Sequence, residues 1–334
     1  MHFTTTAWLI PFVVALIAAA ASTLTLRVLL ATGLAWRLAT DIPNDRSLHT
    51  KPTPRVGGWG IVPVCVVALL WHASEMWLIA LAVLALALVS QIDDRRGLPA
   101  RVRFAAHFAV VAVLIAVYPA ASPWWLLACI GFLLLWLINL YNFMDGSDGL
   151  AGGMALFGFG AYAAAALSAG EPSLAVSGAA IAGAAFGFLF LNFHPAKLFL
   201  GDVGSITFGF LAGALGYWGW RGDVWPLWFP AIVFSPFIAD ASVTLLRRLY
   251  RGEKFWQAHR EHYYQRMVRS GIGHGRTAIY WYVVMFAGAI VALCALGRPT
   301  WQQWLIIAAW YGLLGGCGIV IDLRWRSFQN SNDK

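Results

Sequence analysis

Apolar stretches close to the thickness of a bilayer, separated by short polar connections, constrain this sequence more than any other feature. About eleven can be read, near 7–30, 58–72, 76–91, 104–119, 124–141, 150–168, 174–193, 204–220, 226–246, 278–296 and 302–322. The hydrocarbon layer is about 30 Å thick, takes about 20 helical residues to cross, and offers an unpaired backbone amide no partner. The sequence therefore predicts an all-α, polytopic membrane protein. Only 11% of its residues are charged, where soluble domains carry about 25%. With no soluble domain, low-complexity tract or clear repeat, residues 1–334 read as one transmembrane domain. The first stretch is too long for a signal-peptide core and lacks a basic n-region, so it reads as a retained span. Cys65, Cys129, Cys294 and Cys317 are scattered through apolar segments and imply neither a disulfide framework nor a zinc site.

The basic residues set the expected orientation. The connections at 31–57, 92–103, 142–149, 194–203 and 247–277, with the basic end of the first span and the C-terminal tail, hold 21 of the 23 Lys and Arg. By the positive-inside rule the N terminus lies outside and the C terminus in the cytoplasm. Asp41, Asp45, Asp93, Asp94, Asp145, Asp148, Asp202, Glu253 and Glu261 fall on the same face. Asp240 alone interrupts a span, near its cytoplasmic end. Transporters place their polar groups near the midplane, so polar chemistry confined to one interface points away from alternating access.

Several of these connections carry chemistry. Asn139–Gly153, N-L-Y-N-F-M-D-G-S-D-G-L-A-G-G, sets Asn142, Asp145, Asp148 and four glycines at the mouth of an apolar run. A plain polar turn needs fewer such residues, and glycines let a ligand approach the backbone. The first loop, D-I-P-N-D-R-S-L-H-T-K-P-T-P-R-V-G-G from Asp41, brings Arg46, His49, Lys51 and Arg55 to a Gly-Gly helix entry. It is either a phosphate-holding loop or a positive anchor. Asp93 and Asp94, followed by four arginines, suit a divalent cation beside a phosphate, or a surface salt-bridge cluster. In F-L-N-F-H-P-A-K-L-F-L-G-D-V-G-S, residues 190–205, Asp202 is the best single candidate for a magnesium ligand. Phe199 is a stacking surface or ordinary packing. The last loop holds eight Lys or Arg between 247 and 276 and the run A-H-R-E-H-Y-Y-Q-R-M. Phosphate or lipid-headgroup binding fits it better than zinc, because His259 and His262 have no further soft ligands.

Together these segments resemble the polyprenyl-phosphate N-acetylhexosamine-1-phosphate transferase family, glycosyl transferase family 4. The matching pieces are P-T-P-R-V-G-G, D-D at 93–94, N-x-x-N-x-x-D-G-x-D-G-L-A at 139–151, F-L-x-x-N…P-A-K-x-F-x-G-D-x-G-S at 190–205 and H-R-E-H-Y-Y-Q-R at 259–266. The resemblance implies a multi-pass bacterial inner-membrane enzyme with a cytoplasmic active site. In that family a UDP-N-acetylhexosamine gives its sugar-1-phosphate to undecaprenyl phosphate and UMP leaves. Carried over by position, Asp202 with Asp94 would hold Mg2+, or Mn2+ in its place. Asp93 and Asp94 would lie where lipid phosphate and metal meet, with Asp93 the candidate base. Asn142, Asp145, Asp148 and Asn192 would line the nucleotide pocket, with Phe199 on uracil, and Arg46, Lys51 and Arg55 join the substrate-binding set. His259, Arg260 and His262 would grip the diphosphate or sugar phosphate. The implied partners are the donor, the lipid acceptor and membrane lipid, with no nucleic acid; a homodimer is left open.

A phosphate monoester has a second pKa of about 6, so at neutral pH the acceptor is mostly dianionic and needs little help from a base. Positioning and charge neutralisation are then the main expected catalytic terms. The muramoyl-pentapeptide transferase of this family has consecutive histidines in its last cytoplasmic loop and a lysine soon after its aspartate pair. H-R-E-H and D-D-R-R stand here instead. That favours an enzyme initiating surface polysaccharide, of the O-antigen type. The alternatives are the muramoyl-pentapeptide transferase itself and, from another class, a lipid or nucleotide-sugar transporter.

Overall fold

The computed structural model describes residues 6–43, 48–49, 51–254 and 259–332. It is nearly all-α. The helices are α1 (Thr6–Ala31), α2 (Leu34–Leu38), α3 (Gly57–His72), α4 (Trp77–Arg96), α5 (Ala100–Val117), α6 (Trp124–Phe143) and α7 (Leu150–Ala169). They continue with α8 (Pro172–Asn192), α9 (Gly201–Arg221), α10 (Trp228–Val233), α11 (Ser235–Tyr250), α12 (Tyr263–Met267), α13 (His274–Ala295) and α14 (Thr300–Asn332). The apolar stretches expected from the sequence overlap helix, though not all eleven qualify as spans. Among the described residues, eight helical segments are long and apolar enough to cross a membrane, those of α1, α4 to α8, α13 and α14. The α3 helix is shorter, and glycine, tryptophan and polar residues dilute α9.

The stretch expected at 226–246 is not one helix. It breaks at Phe234 into α10 and α11, because Pro236 has no amide hydrogen and its ring crowds the preceding turn. The Ser235 hydroxyl fills the break, donating to Ile232 O at 2.6 Å and accepting from Trp310 Nε1 at 2.7 Å. Nor is the chain purely helical. A short antiparallel ladder, β1 (Thr40–Asp41) with β2 (Thr53–Pro54), closes the first loop, and Arg55 then bridges in parallel to Phe199.

Two helices form the axis. The α8 helix packs on α1, α7 and α3, while α9 packs on α6, α4 and α3; α5 and α14 are the most exposed. Aromatic rings lock the interior, with Tyr141 edge-on to Phe237 at 5.2 Å and Tyr162 stacked on Trp225 at 4.9 Å. Both tyrosine hydroxyls are satisfied, on Ala151 O and Ala212 O, as buried phenols require.

The starts of α3 and α9 lie side by side, with Gly57 N donating to Phe199 O at 2.9 Å and Gly58 N to Leu200 O at 3.0 Å. A Cβ on Gly58 would stand 2.5 Å from Gly204 N and 2.6 Å from the Val203 side chain. Gly58→Ala is therefore expected to push the two helix starts apart, at a cost of about 1–3 kcal/mol. A melt in detergent reads this directly, and a midpoint equal to that of the wild type would refute it.

Candidate active site

The polar connections meet at one end of the bundle, around a cleft of about 340 Å3. Asp41, His49 and Arg55 reach it from the first loop, and Asn142, Asp145 and Asp148 from the turn between α6 and α7. Asn192 closes α8 there, Phe199 and Asp202 lead into α9, and Gln265 and His274 come from the last loop. The hairpin register and the Arg55–Phe199 bridge bring the first loop onto the start of α9.

Charge in the site is unevenly balanced. The Arg55 guanidinium stands 3.9 Å from Asp41 and 3.8 Å from Asp94, while Arg103 is 2.8 Å from Asp93 and 4.0 Å from Asp202. Desolvation within the cleft, followed by the charge of Asp202, pushes the Asp145 carboxyl well above its ordinary range, with Arg55 opposing. Asp94 Oδ2 is buried with no hydrogen-bond partner. Crowded carboxylates and an orphaned oxygen fit a divalent cation. Among the described residues no three His, Cys, Asp or Glu gather closely enough to cage one. Mg2+ does not need a cage, because one or two carboxylates suffice when water and phosphate oxygens complete its shell.

The cleft wall is braced by its own amides and imidazoles. Asn192 accepts from Gly149 N at 2.9 Å and donates to Leu198 O at 3.0 Å, tying the turn after α6 to the segment before α9. Gly149 sits at φ 75°, a backbone state that side chains disfavour. Asn142 Oδ1 accepts from the Ser205 hydroxyl at 3.1 Å. Asp148 lies 2.7 Å from His194 Nδ1 and accepts from Ala196 N at 3.2 Å. His274 joins Ser147 Oγ, 2.9 Å from Nδ1, to Leu48 O, 3.3 Å from Nε2, so it pins the first loop across the cleft.

Comparison with known proteins agrees with this geometry. The family model described as glycosyl transferase family 4 matches residues 76–219, the stretch holding Asp93, Asp94, Asn142, Asp145, Asp148, Asn192, Phe199 and Asp202. A decaprenyl-phosphate N-acetylglucosaminephosphotransferase of Mycolicibacterium smegmatis is 30% identical, over 73% of this chain and 72% of its own. The chain belongs to the polyprenyl-phosphate N-acetylhexosamine-1-phosphate transferase family. A probable undecaprenyl-phosphate N-acetylglucosaminyl 1-phosphate transferase of Bacillus subtilis is 27% identical over 84% of this chain and 86% of its own. A phospho-N-acetylmuramoyl-pentapeptide-transferase of Synechococcus is 33% identical over 61% and 69%. The transferase is thus an enzyme that moves a sugar phosphate onto a polyprenyl phosphate.

Some expected site residues stand elsewhere. In the transferase His262 is buried behind the cleft, with Nδ1 3.1 Å from Asp240. His259 lies against it, ring centroids 4.9 Å apart, and burial, then His262 and Arg248, push its pKa down to about 4. It is uncharged at neutral pH. Arg260 lines a different, basic pocket. None of the three lines the cleft; from the same loop Gln265 and His274 do. Asp93, the expected base, is occupied on both oxygens, by Leu98 N at 2.6 Å and by Arg103. Lys51 is exposed and off the cleft wall, and Arg46 lies outside the described residues. Asp41, His194 and His274 were not among the expected site residues; His49 was expected only as one basic group of the first loop. The clue to His274 is its setting in G-I-G-H-G, where Gly271 and Gly273 at positive φ turn the chain back toward the cleft.

Proposed function

We propose that the transferase moves an N-acetylhexosamine-1-phosphate from a UDP-sugar to undecaprenyl phosphate at the cytoplasmic face, releasing UMP and priming a surface polysaccharide such as O-antigen. One observation carries this reading: a carboxylate and arginine cluster, Asp145, Asp202 and Arg55, shares a cleft with the half-buried ring of Phe199. A nucleoside diphosphate offers the complementary pair, a charged diphosphate and a flat base. Uracil stacks on Phe199, and Arg55 and Arg103 neutralise phosphate oxygens as charge builds on them. The dianionic acceptor attacks the donor's β-phosphorus in line, the bond from that phosphorus to the UMP oxygen breaks, and UMP departs with its electron pair. Asp94 and Asp202 are the residues that would hold Mg2+, or Mn2+, whose chemistry is to offset the diphosphate charge. With both Asp93 oxygens engaged, no base is assigned to it.

Relatives similar over most of their length bear N-acetylglucosamine in their descriptions, which favours that donor over the muramoyl-pentapeptide. The test is purified protein with undecaprenyl phosphate, Mg2+ and a panel of UDP-sugars, scored by UMP. Release with UDP-N-acetylglucosamine is expected. Release only with the muramoyl-pentapeptide donor would transfer the protein to peptidoglycan synthesis, and sugar exchange across vesicles without UMP would mark a transporter. Phe199→Ala should raise the donor KM about tenfold with kcat little changed, since stacking a base on an aromatic ring is worth about 1–3 kcal/mol.

A further inference from the structure

We propose that the transferase holds one anionic phospholipid at a site separate from its cleft, with the acyl chains between α11, α13 and α14 and the phosphate on arginines of the loop around α12 and of the end of α14. The first observation is an apolar groove of about 1000 Å3 between these three helices. Gly312, Gly315 and Gly316 of α14 line it, and nothing lies within 4 Å of where a Cβ on any of them would be. The second is a polar pocket of about 690 Å3 that shares Arg247 with the groove. Six arginines line that pocket, at 247, 251, 260, 266, 269 and 326, against three carboxylates, Glu253, Glu261 and Asp322.

The carboxylates are already engaged. Asp322 is paired with Arg247 at 2.7 Å and Arg266 at 2.6 Å, and Arg251 with Glu253 at 2.7 Å. Among the described residues Arg260, Arg269 and Arg326 have no carboxylate partner, which leaves an excess of positive charge beside an apolar slot. The Arg269 guanidinium also lies 4.9 Å over the Trp325 ring, a residue type that favours the headgroup level of a bilayer. The 33 residues of α14 span about 50 Å at about 1.5 Å each, so the helix outruns a hydrocarbon layer of about 30 Å. An anionic headgroup with two acyl chains complements both halves of this surface; a neutral lipid or a protein helix complements only the groove.

The occupant is not the acceptor of the reaction. The groove shares no lining residue with the cleft, and the family resemblance puts the acceptor phosphate near Asp93 and Asp94, at the end of α4. The α12 helix stands between the two sites. Tyr264 turns toward the cleft and donates to Phe143 O at 3.1 Å, whereas Tyr263 faces the groove under Arg247 and Arg266 at 5.3 and 5.7 Å.

Native mass spectrometry of the full-length protein, exchanged from detergent into micelles doped with phosphatidylglycerol or phosphatidylcholine, tests this. One phosphatidylglycerol should be retained in preference to phosphatidylcholine. The double variant Arg269→Gln/Arg326→Gln should lose that preference by about 25-fold, at about fivefold per arginine. Gly316→Leu, whose Cβ enters open space at the slot, should lower retention with all arginines in place. Equal retention of the two lipids, or either variant retaining phosphatidylglycerol as the wild type does, overturns the proposal. So does displacement of the bound lipid by equimolar undecaprenyl phosphate, which would make the groove the acceptor's own. None of these readouts depends on which donor is used, so failure here and failure of the proposed reaction are distinct.

Discussion

Asp202→Asn is expected to lower UMP release by about 10³-fold while the protein remains folded in detergent. The substitution keeps the shape of the side chain and removes only its charge. Its carboxylate opens the first turn of α9 beside Arg103 at 4.0 Å, on the cleft wall shared with Asp145. Loss of a preorganised electrostatic contact at a reacting phosphate costs about 10²–10³-fold in other enzymes, and a residue proposed also to hold the cation belongs at the upper end. The loss should fall mainly on kcat, since Phe199 and the braced turn after α6, the proposed nucleotide seat, are left unchanged. Turnover within tenfold of the wild type would show that the charge of Asp202 is not used in the reaction.

Asp240→Ala should produce the largest loss of stability, at a position no substrate reaches. This buried carboxylate accepts from Tyr263 N at 3.0 Å, Tyr264 N at 3.1 Å and the Thr244 hydroxyl at 3.2 Å, and lies 3.1 Å from His262 Nδ1. Truncation strands these donors in the interior, and removing one side of a buried charged network costs about 3–5 kcal/mol. The five residues of α12 have little helical stability of their own. Their displacement would also pull Tyr264 from Phe143 O and loosen the turn that carries Asp145. Asp240→Asn keeps an acceptor oxygen and should fall between the two. A thermal midpoint for Asp240→Ala within about 2 °C of the wild type would mean that α12 is held by something else.

The positions of the helices were legible because lipid leaves so few alternatives: an apolar run of sufficient length must satisfy its own backbone. What periodicity does not report is a break caused by one proline inside such a run, so 226–246 read as continuous while Pro236 divides it. The convergence of Asp145, Asp202, Asn142 and Phe199 was legible too, because each sits in a polar segment too rich for a connector. The roles inside the last loop were not. His259 and His262 look like surface cations in one dimension, and only burial together with the Asp240 partner reveals them as parts of a brace. Asp93 and Asp94 are equally adjacent in sequence, yet the turn into α5 occupies one and leaves an oxygen of the other bare.

The two hydrogen bonds made by Asn192 set how this enzyme tolerates change. Its oxygen and its nitrogen each hold a different strand of the wall, so Asp lacks the donor, Leu lacks both groups, and Gln is a methylene too long. A randomised library selected for turnover should return almost nothing but asparagine at 192. At Phe199, seven residues on, any flat side chain should survive, and that is where a search for altered nucleotide preference has room to move.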